Sequence, residues 1–215
     1  MTHAYSELYL SNAKDSLADM FDYLINDCGL ACDFASSLFV TTGLAGKFET
    51  GDPSILAGMS GVELGKKVIR KAYNKKDVPA EHFRESRSPE YWAGWALAEY
   101  QWFSGRRFKD IFERVPLSKI LDMYHLYHEM DISQFIDAID RFYDEAALEP
   151  KLKRIRESRG VSQSELAKLS GVKLRSIQMY EQKVNDIDKA QASTLYKLSK
   201  VLGCSIEDLL ENPMQ

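Results

Sequence analysis

The 215-residue chain is short of cysteine and of long apolar runs, and each shortage removes a class of protein. Its three cysteines, Cys28, Cys32 and Cys204, are odd in number and none has zinc-finger spacing. Free thiols in a reducing compartment are therefore expected, with Cys28 and Cys32 as ordinary thiols rather than a redox switch. No segment approaches the roughly 20 apolar residues that a bilayer requires, so no membrane association is expected. Near the start, Asn12, Lys14, Asp15 and Asp19 interrupt any apolar run that a leader peptide would need. A cytoplasmic protein is the expectation. Period-two alternation is almost missing, which argues against strands, and no repeat of fixed period emerges. The expected fold class is all-α. With 45% apolar and 11% aromatic residues the chain has enough material for packed cores.

The few prolines and glycines punctuate the first two thirds of the chain. Gly29, Gly51-Asp52-Pro53, Pro79, Ser88-Pro89 and Pro116 predict breaks between helices at about 5–27, 31–48, 60–73, 89–104, 106–113 and 117–146. Phe135, Ile136, Ile139, Phe142 and Tyr143 have the three-and-four spacing of an amphipathic helix, which runs toward Pro150 with no Gly/Ser-rich linker. Of the 24 aromatic residues, 22 lie in residues 1–148. Trp92, Trp95 and Trp102 fall near one helical face, with Tyr91 and Phe103 beside them, and are read as core before interface.

Chemistry-bearing clusters are scarce. His125 and His128 precede Glu129 but lack a nearby cysteine and the His-Glu-x-x-His pattern, so they are read as ordinary histidines. Gly43-Leu44-Ala45-Gly46-Lys47 lacks both the first glycine and the hydroxyl residue of a phosphate loop. Lys66, Lys67, Arg70, Lys71, Lys75 and Lys76 read as a solvated helix face. No acid/base couple or Ser/His/Asp set stands out. The expectation is no enzyme, with no catalytic residue, cofactor or metal.

The informative stretch is 162–181. Ser162 and Glu165 have capping-box spacing, and Gln163 then falls in a first helical turn, where an anion is favoured. Leu166 and Leu169 can face a core, Ala167 lets a second helix cross closely, and Gly171 falls where the chain must reverse. Ile177 points back into the crossing. Two short helices joined by a tight turn follow from this pattern.

Residues 152–211 resemble the lambda repressor/Cro (Xre-type) helix-turn-helix family, which packs about five helices into one domain. Three flanking features agree. A helix begins at Leu152-Lys153-Arg154-Ile155-Arg156 after Pro150; Asp188 and Gln191 have capping spacing before Leu195, Leu198, Val201 and Leu202; and Ser205-Ile206-Glu207-Asp208-Leu209-Leu210 reads as a capped final helix after Gly203. The resemblance implies a structural ion pair between Arg156 and Glu181, with Ala167, Gly171 and Ile177 as the other structural positions. It implies a DNA face of Gln163, Lys173, Leu174, Arg175, Ser176, Gln178 and Met179. Lys173 suits phosphate or a guanine edge, Arg175 bidentate guanine reading, and Leu174 or Met179 a thymine methyl; Gln163, Ser176 and Gln178 suit backbone positioning or adenine contact. Lys173 departs from the family, which often has Ser or Thr there, because an ammonium cannot accept an amide hydrogen bond.

Charge is divided in the same way. Residues 150–215 hold 12 Lys/Arg against 8 Asp/Glu, a net of +4; residues 1–149 hold 16 against 24, a net of −8. Positive charge thus gathers in the part that carries the motif.

The expected organisation is a helical, acidic, aromatic-rich domain over 1–148, serving dimerisation, partner binding or sensing, and a helix-turn-helix DNA-binding domain over 149–215. The expected function is a sequence-specific double-stranded DNA-binding transcriptional regulator, a repressor acting as a homodimer on a pseudo-palindromic operator. The alternative is an antitoxin-like protein whose N-terminal domain neutralises a toxin while the C-terminal domain autoregulates the operon.

Overall fold

The computed structural model describes residues 3–74, 78–82 and 85–211. Among the described residues there is no strand, and the fold is all-α. The chain divides into two compact units, residues 1–143 and 144–215.

The N-terminal unit is built around α1 (Leu10–Asp22), which buries Ala13, Leu17, Ala18, Met20 and Phe21. A π-helical turn, Tyr23–Asp27, continues it. The following helices are α2 (Cys32–Thr41), α3 (Leu44–Glu49), α4 (Pro53–Leu56), α5 (Gly61–Tyr73) and α6 (Pro89–Ser104). Beyond them come α7 (Phe108–Arg114), α8 (Leu117–Asp122), α9 (Tyr124–Tyr127) and α10 (Ile132–Leu148). Helix α6 crosses α1 at Gly94, where a Cβ would lie 2.6 Å from the Leu17 carbonyl oxygen. Only hydrogen fits there, so the two backbones touch.

Three sequence expectations need correction. The helix expected at 31–48 is two, because Gly43 takes the left-handed conformation (φ +73°) and ends the first. The helix expected at 117–146 is three. Leu117, Ile120 and Met123 bury one face of α8, and Asp131 then opens α10 by accepting the Ser133 amide at 2.9 Å. The expected break at Gly51-Asp52-Pro53 contains a helical turn of its own: Asp52 caps it, Pro53 fills its first position, and Ile55 and Leu56 are buried.

Most of the aromatic wealth is core. Phe39 and Phe48 meet Phe108 edge-on, with centroids 5.3 and 5.6 Å away. Trp102 is buried and its indole N–H donates to the Tyr5 carbonyl at 2.8 Å, whereas Trp92 and Trp95 are only partly covered. His128 stacks on Tyr124 and its Nδ1 lies 2.8 Å from the Tyr124 carbonyl oxygen. The basic run is partly engaged within its own unit. Lys66 pairs with Glu81 at 3.3 Å and Lys71 donates to the Thr42 carbonyl, while Lys75 and Lys76 lie outside the described residues.

The C-terminal unit contains α11 (Lys151–Ser158), α12 (Gln163–Ser170), α13 (Leu174–Glu181), α14 (Ala192–Leu202) and α15 (Ile206–Leu209), with a 3-10 turn at Ile187–Lys189. Leu152, Leu166, Val172, Ile177, Ile187, Leu195, Leu198, Leu202 and Leu209 form its core. Leu169 does not join them, being 65% exposed. The inward row of α12 runs from Leu166 to Ser170, whose hydroxyl donates to the Leu166 carbonyl at 2.6 Å, and Leu169 faces outward. Asp188 does not cap α14 either. The cap residue is Gln191, without a side-chain bond, and Asp188 instead accepts the Glu211 amide at 2.7 Å. The final helix is capped as expected, by Ser205 in a capping box with Asp208.

Candidate nucleic-acid interface

The interface is positioned by how α12 starts and stops. At its start the Ser162 hydroxyl accepts the Glu165 amide at 3.2 Å, and the Glu165 carboxylate accepts the Ser162 amide at 2.8 Å. The bonds from Ser162 hold the Glu165 carboxyl below its ordinary range. At its end Gly171 adopts φ +67° and its N–H returns to the Ala167 carbonyl at 2.9 Å. The chain reverses there, and Lys173 opens α13 without any side-chain cap.

Helix α13 has two faces. Ile177 and Glu181 are buried, Ser176, Gln178 and Met179 are half-buried, and Lys173, Leu174 and Arg175 are exposed. The buried side is fixed by charge as well as packing. Arg156 on α11 donates from Nε to Glu181 Oε1 at 2.7 Å and from Nη2 to Oε2 at 2.8 Å. Its Nη1 reaches the Val161 carbonyl at 2.9 Å, and Nη2 also reaches Glu157 at 3.1 Å. The bonds to Glu181 raise the guanidinium pKa further above its ordinary value. An ion pair this enclosed survives because almost every donor and acceptor is matched.

Gln163 completes that network: its Nε2 donates to Glu181 Oε2 at 2.7 Å. Its amide is therefore held at the crossing of α12 and α13, a role that no sequence pattern announced. Met179 is engaged too. Its carbonyl accepts the amides of Val184 and Asn185 at 2.9 and 3.1 Å as the chain leaves α13. Sequence reasoning passed over Lys183, exposed just beyond α13 with φ +53°. Glycine or asparagine usually marks such a position, so a lysine gave no signal. Among the described residues, neither Lys173 nor Arg175 has a side-chain hydrogen bond or ion pair.

Two crossed helices, a left-handed turn between them and an outward cationic start to the second define a helix-turn-helix domain. Residues 152–209, the C-terminal part of the chain, match the helix-turn-helix family model, of the Xre/lambda repressor type. That family is one of DNA-binding regulators. No curated protein and no solved structure matches the chain. Among the described residues no helix is long and apolar enough to cross a membrane.

Proposed function

We propose that the chain is a sequence-specific double-stranded DNA-binding transcriptional regulator, a repressor that works as a homodimer in the cytoplasm. The observation that carries this reading is the partition of α13. Its buried side is bolted to α11 through Glu181, and its other side offers Lys173, Leu174 and Arg175 to solvent. A short rigid helix with an unpaired guanidinium near its first turn is suited to the major groove. Arg175 reads a guanine edge, Lys173 meets phosphate, and Leu174 and Met179 offer apolar contact to thymine. Gln178, Ser176 and Gln163 supply the remaining polar contacts. A twofold dimer sets two such helices about 34 Å apart on a pseudo-palindromic operator.

Selection from a random duplex library, followed by fluorescence anisotropy, tests the proposal. Arg175→Ala is expected to lose about 1–3 kcal/mol on the selected site and to relax preference at one base position. Lys173→Ala is expected to weaken all sequences alike and lower the salt slope by about 1. Equal behaviour of the two variants on matched and scrambled duplexes would refute the assigned roles. Failure to enrich any sequence would sink specific recognition itself.

The net charge of −8 over residues 1–149 favours one second reading, an antitoxin-like protein whose N-terminal part grips a toxin. Co-purification of the full chain with the product of an adjacent gene decides between the two.

A further inference from the structure

The C-terminal end of α13 is closed in a way that its sequence makes costly. Gln182 ends the helix, the Lys183 amide returns to the Tyr180 carbonyl at 3.1 Å, and the Val184 amide returns to the Met179 carbonyl at 2.9 Å. These two bonds are the Schellman closure, whose left-handed pivot is usually glycine. Here the pivot is Lys183 at φ +53°; among the described non-glycine residues only Asn74 shares a positive φ. Asparagine tolerates that backbone and lysine does not. Nothing local offsets the strain, since among the described residues no hydrogen bond or ion pair engages the Lys183 side chain. The two carboxylates nearest in sequence are taken, Glu181 by Arg156 at 2.7 Å and Asp186 by Lys189 at 2.9 Å. Strain that is held in place points to a task for the side chain.

The surface beside Lys183 continues the one assigned to DNA. Arg175, Gln178, Met179 and Gln182 follow at intervals of three and four, so one stripe runs along α13 to the turn. Asn185 folds back onto that stripe, its amide on the Met179 carbonyl at 3.1 Å and its Nδ2 3.9 Å from the Met179 sulfur. Lys173 precedes the helix and Lys183 follows it. At a rise of 1.5 Å per residue their backbones lie about 15 Å apart. The major groove is about 12 Å wide.

We propose that Lys183 binds a DNA phosphate on the strand opposite the one that Lys173 meets, so that a lysine at each end clamps α13 across the major groove. The inference rests on the DNA reading above and adds a residue and a strand assignment to it. Neutralising the negative end of the helix dipole does not explain the choice, because a lysine in place of Gln182 would do that without left-handed strain.

The full chain is titrated by anisotropy against the duplex that it selects, across a range of salt. Lys183→Gly is expected to lower the slope of log affinity against log salt by about 0.9, an about eightfold loss at 0.1 M salt reckoned from 1 M, alike on matched and scrambled duplexes. Lys183→Gln, which keeps the strain, should lose the same slope, and Lys183→Arg should keep it. Adding Lys173→Ala to Lys183→Gly should double the change. Single methylphosphonate replacements then locate each lysine: the phosphate at which Lys183→Gly no longer matters lies on one strand, and that for Lys173→Ala on the other. Lys183→Gly should meanwhile be the more stable protein, with amide exchange in α13 slowed about threefold or more, so that its weaker binding is not unfolding. A wild-type slope in both Lys183→Gly and Lys183→Gln, beside a lowered slope in Lys173→Ala, would overturn the inference and leave the DNA reading standing. Silent phosphates on one strand only would overturn the clamp, and failure of the wild type to enrich any duplex would remove both readings together.

Discussion

Arg156 and Glu181, 25 positions apart, meet fork to fork, with both carboxylate oxygens held by the guanidinium at 2.7 and 2.8 Å. The pair is nearly sealed, its side chains 8% and 2% exposed. It joins the first helix of the C-terminal unit to the last residue of α13, so the pose of α13 depends on it. Glu181→Ala leaves a buried guanidinium without its partner and is expected to cost roughly 3–5 kcal/mol. The double change Arg156→Met, Glu181→Leu should cost much less, since no charge remains stranded. Amide exchange in α11 and α13 reads both. A loss under about 1 kcal/mol for the single variant would show that the crossing is held by packing alone.

Lys173 sets stability against recognition. It occupies the cap position of α13 yet makes no cap bond. Lys173→Ser supplies an acceptor and is expected to stabilise the helix start by about 1 kcal/mol. The same variant should bind duplex DNA more weakly at low salt. Thermal melts and anisotropy should therefore move in opposite directions, and parallel movement would contradict the assignment.

Two glycines should respond to alanine for different reasons. At Gly171 a Cβ would meet nothing within 4 Å, so the cost is that of the left-handed backbone, about 1–2 kcal/mol. At Gly94 the Cβ would lie 2.6 Å from the Leu17 carbonyl oxygen and 2.8 Å from the Ala18 Cα, and neither is a flexible tip. Gly94→Ala is expected to reach or exceed the roughly 3 kcal/mol end of overpacking costs and to force α1 and α6 apart. Urea titrations with exchange probes in each unit separate the two effects.

Asp19 gives a pH signature. Its carboxyl is raised, mainly by burial and then by Asp15 and Asp22, so the folded state holds that proton more tightly than the unfolded chain. This contribution is fully present below the ordinary carboxylate value and is lost as pH rises through the folded one. Asp19→Asn should therefore raise the melting temperature of the N-terminal unit at neutral pH, with the advantage vanishing in acid. An advantage that grew on acidification would reverse the assigned sign.

How much could be read from the chain depended on whether a signal was local. The capping box of Ser162 and Glu165, the reversal at Gly171 and the burial of Ile177 are written within a few residues of where they act. The Arg156–Glu181 pair came from family resemblance, not spacing. Leu169 misled because periodicity places it near Leu166, while Ser170 closes the inner row through its own hydrogen bond. Asp188 misled because its partner, the Glu211 amide, is remote in sequence. The Gln163–Glu181 bond depends on distant segments meeting, which no window of sequence contains.

The same remote bonding has a consequence for how the C-terminal unit comes apart. Glu211 receives the Lys151 amide on its carboxylate at 2.8 Å while giving its own amide to Asp188, and the Lys151 ammonium reaches the Leu210 carbonyl at 2.7 Å. Entry and exit of this segment are thus latched to each other. Fraying at one extremity should loosen the other in step, and trimming the chain before residue 210 should unfasten the opening turn of α11 as surely as a cut made there.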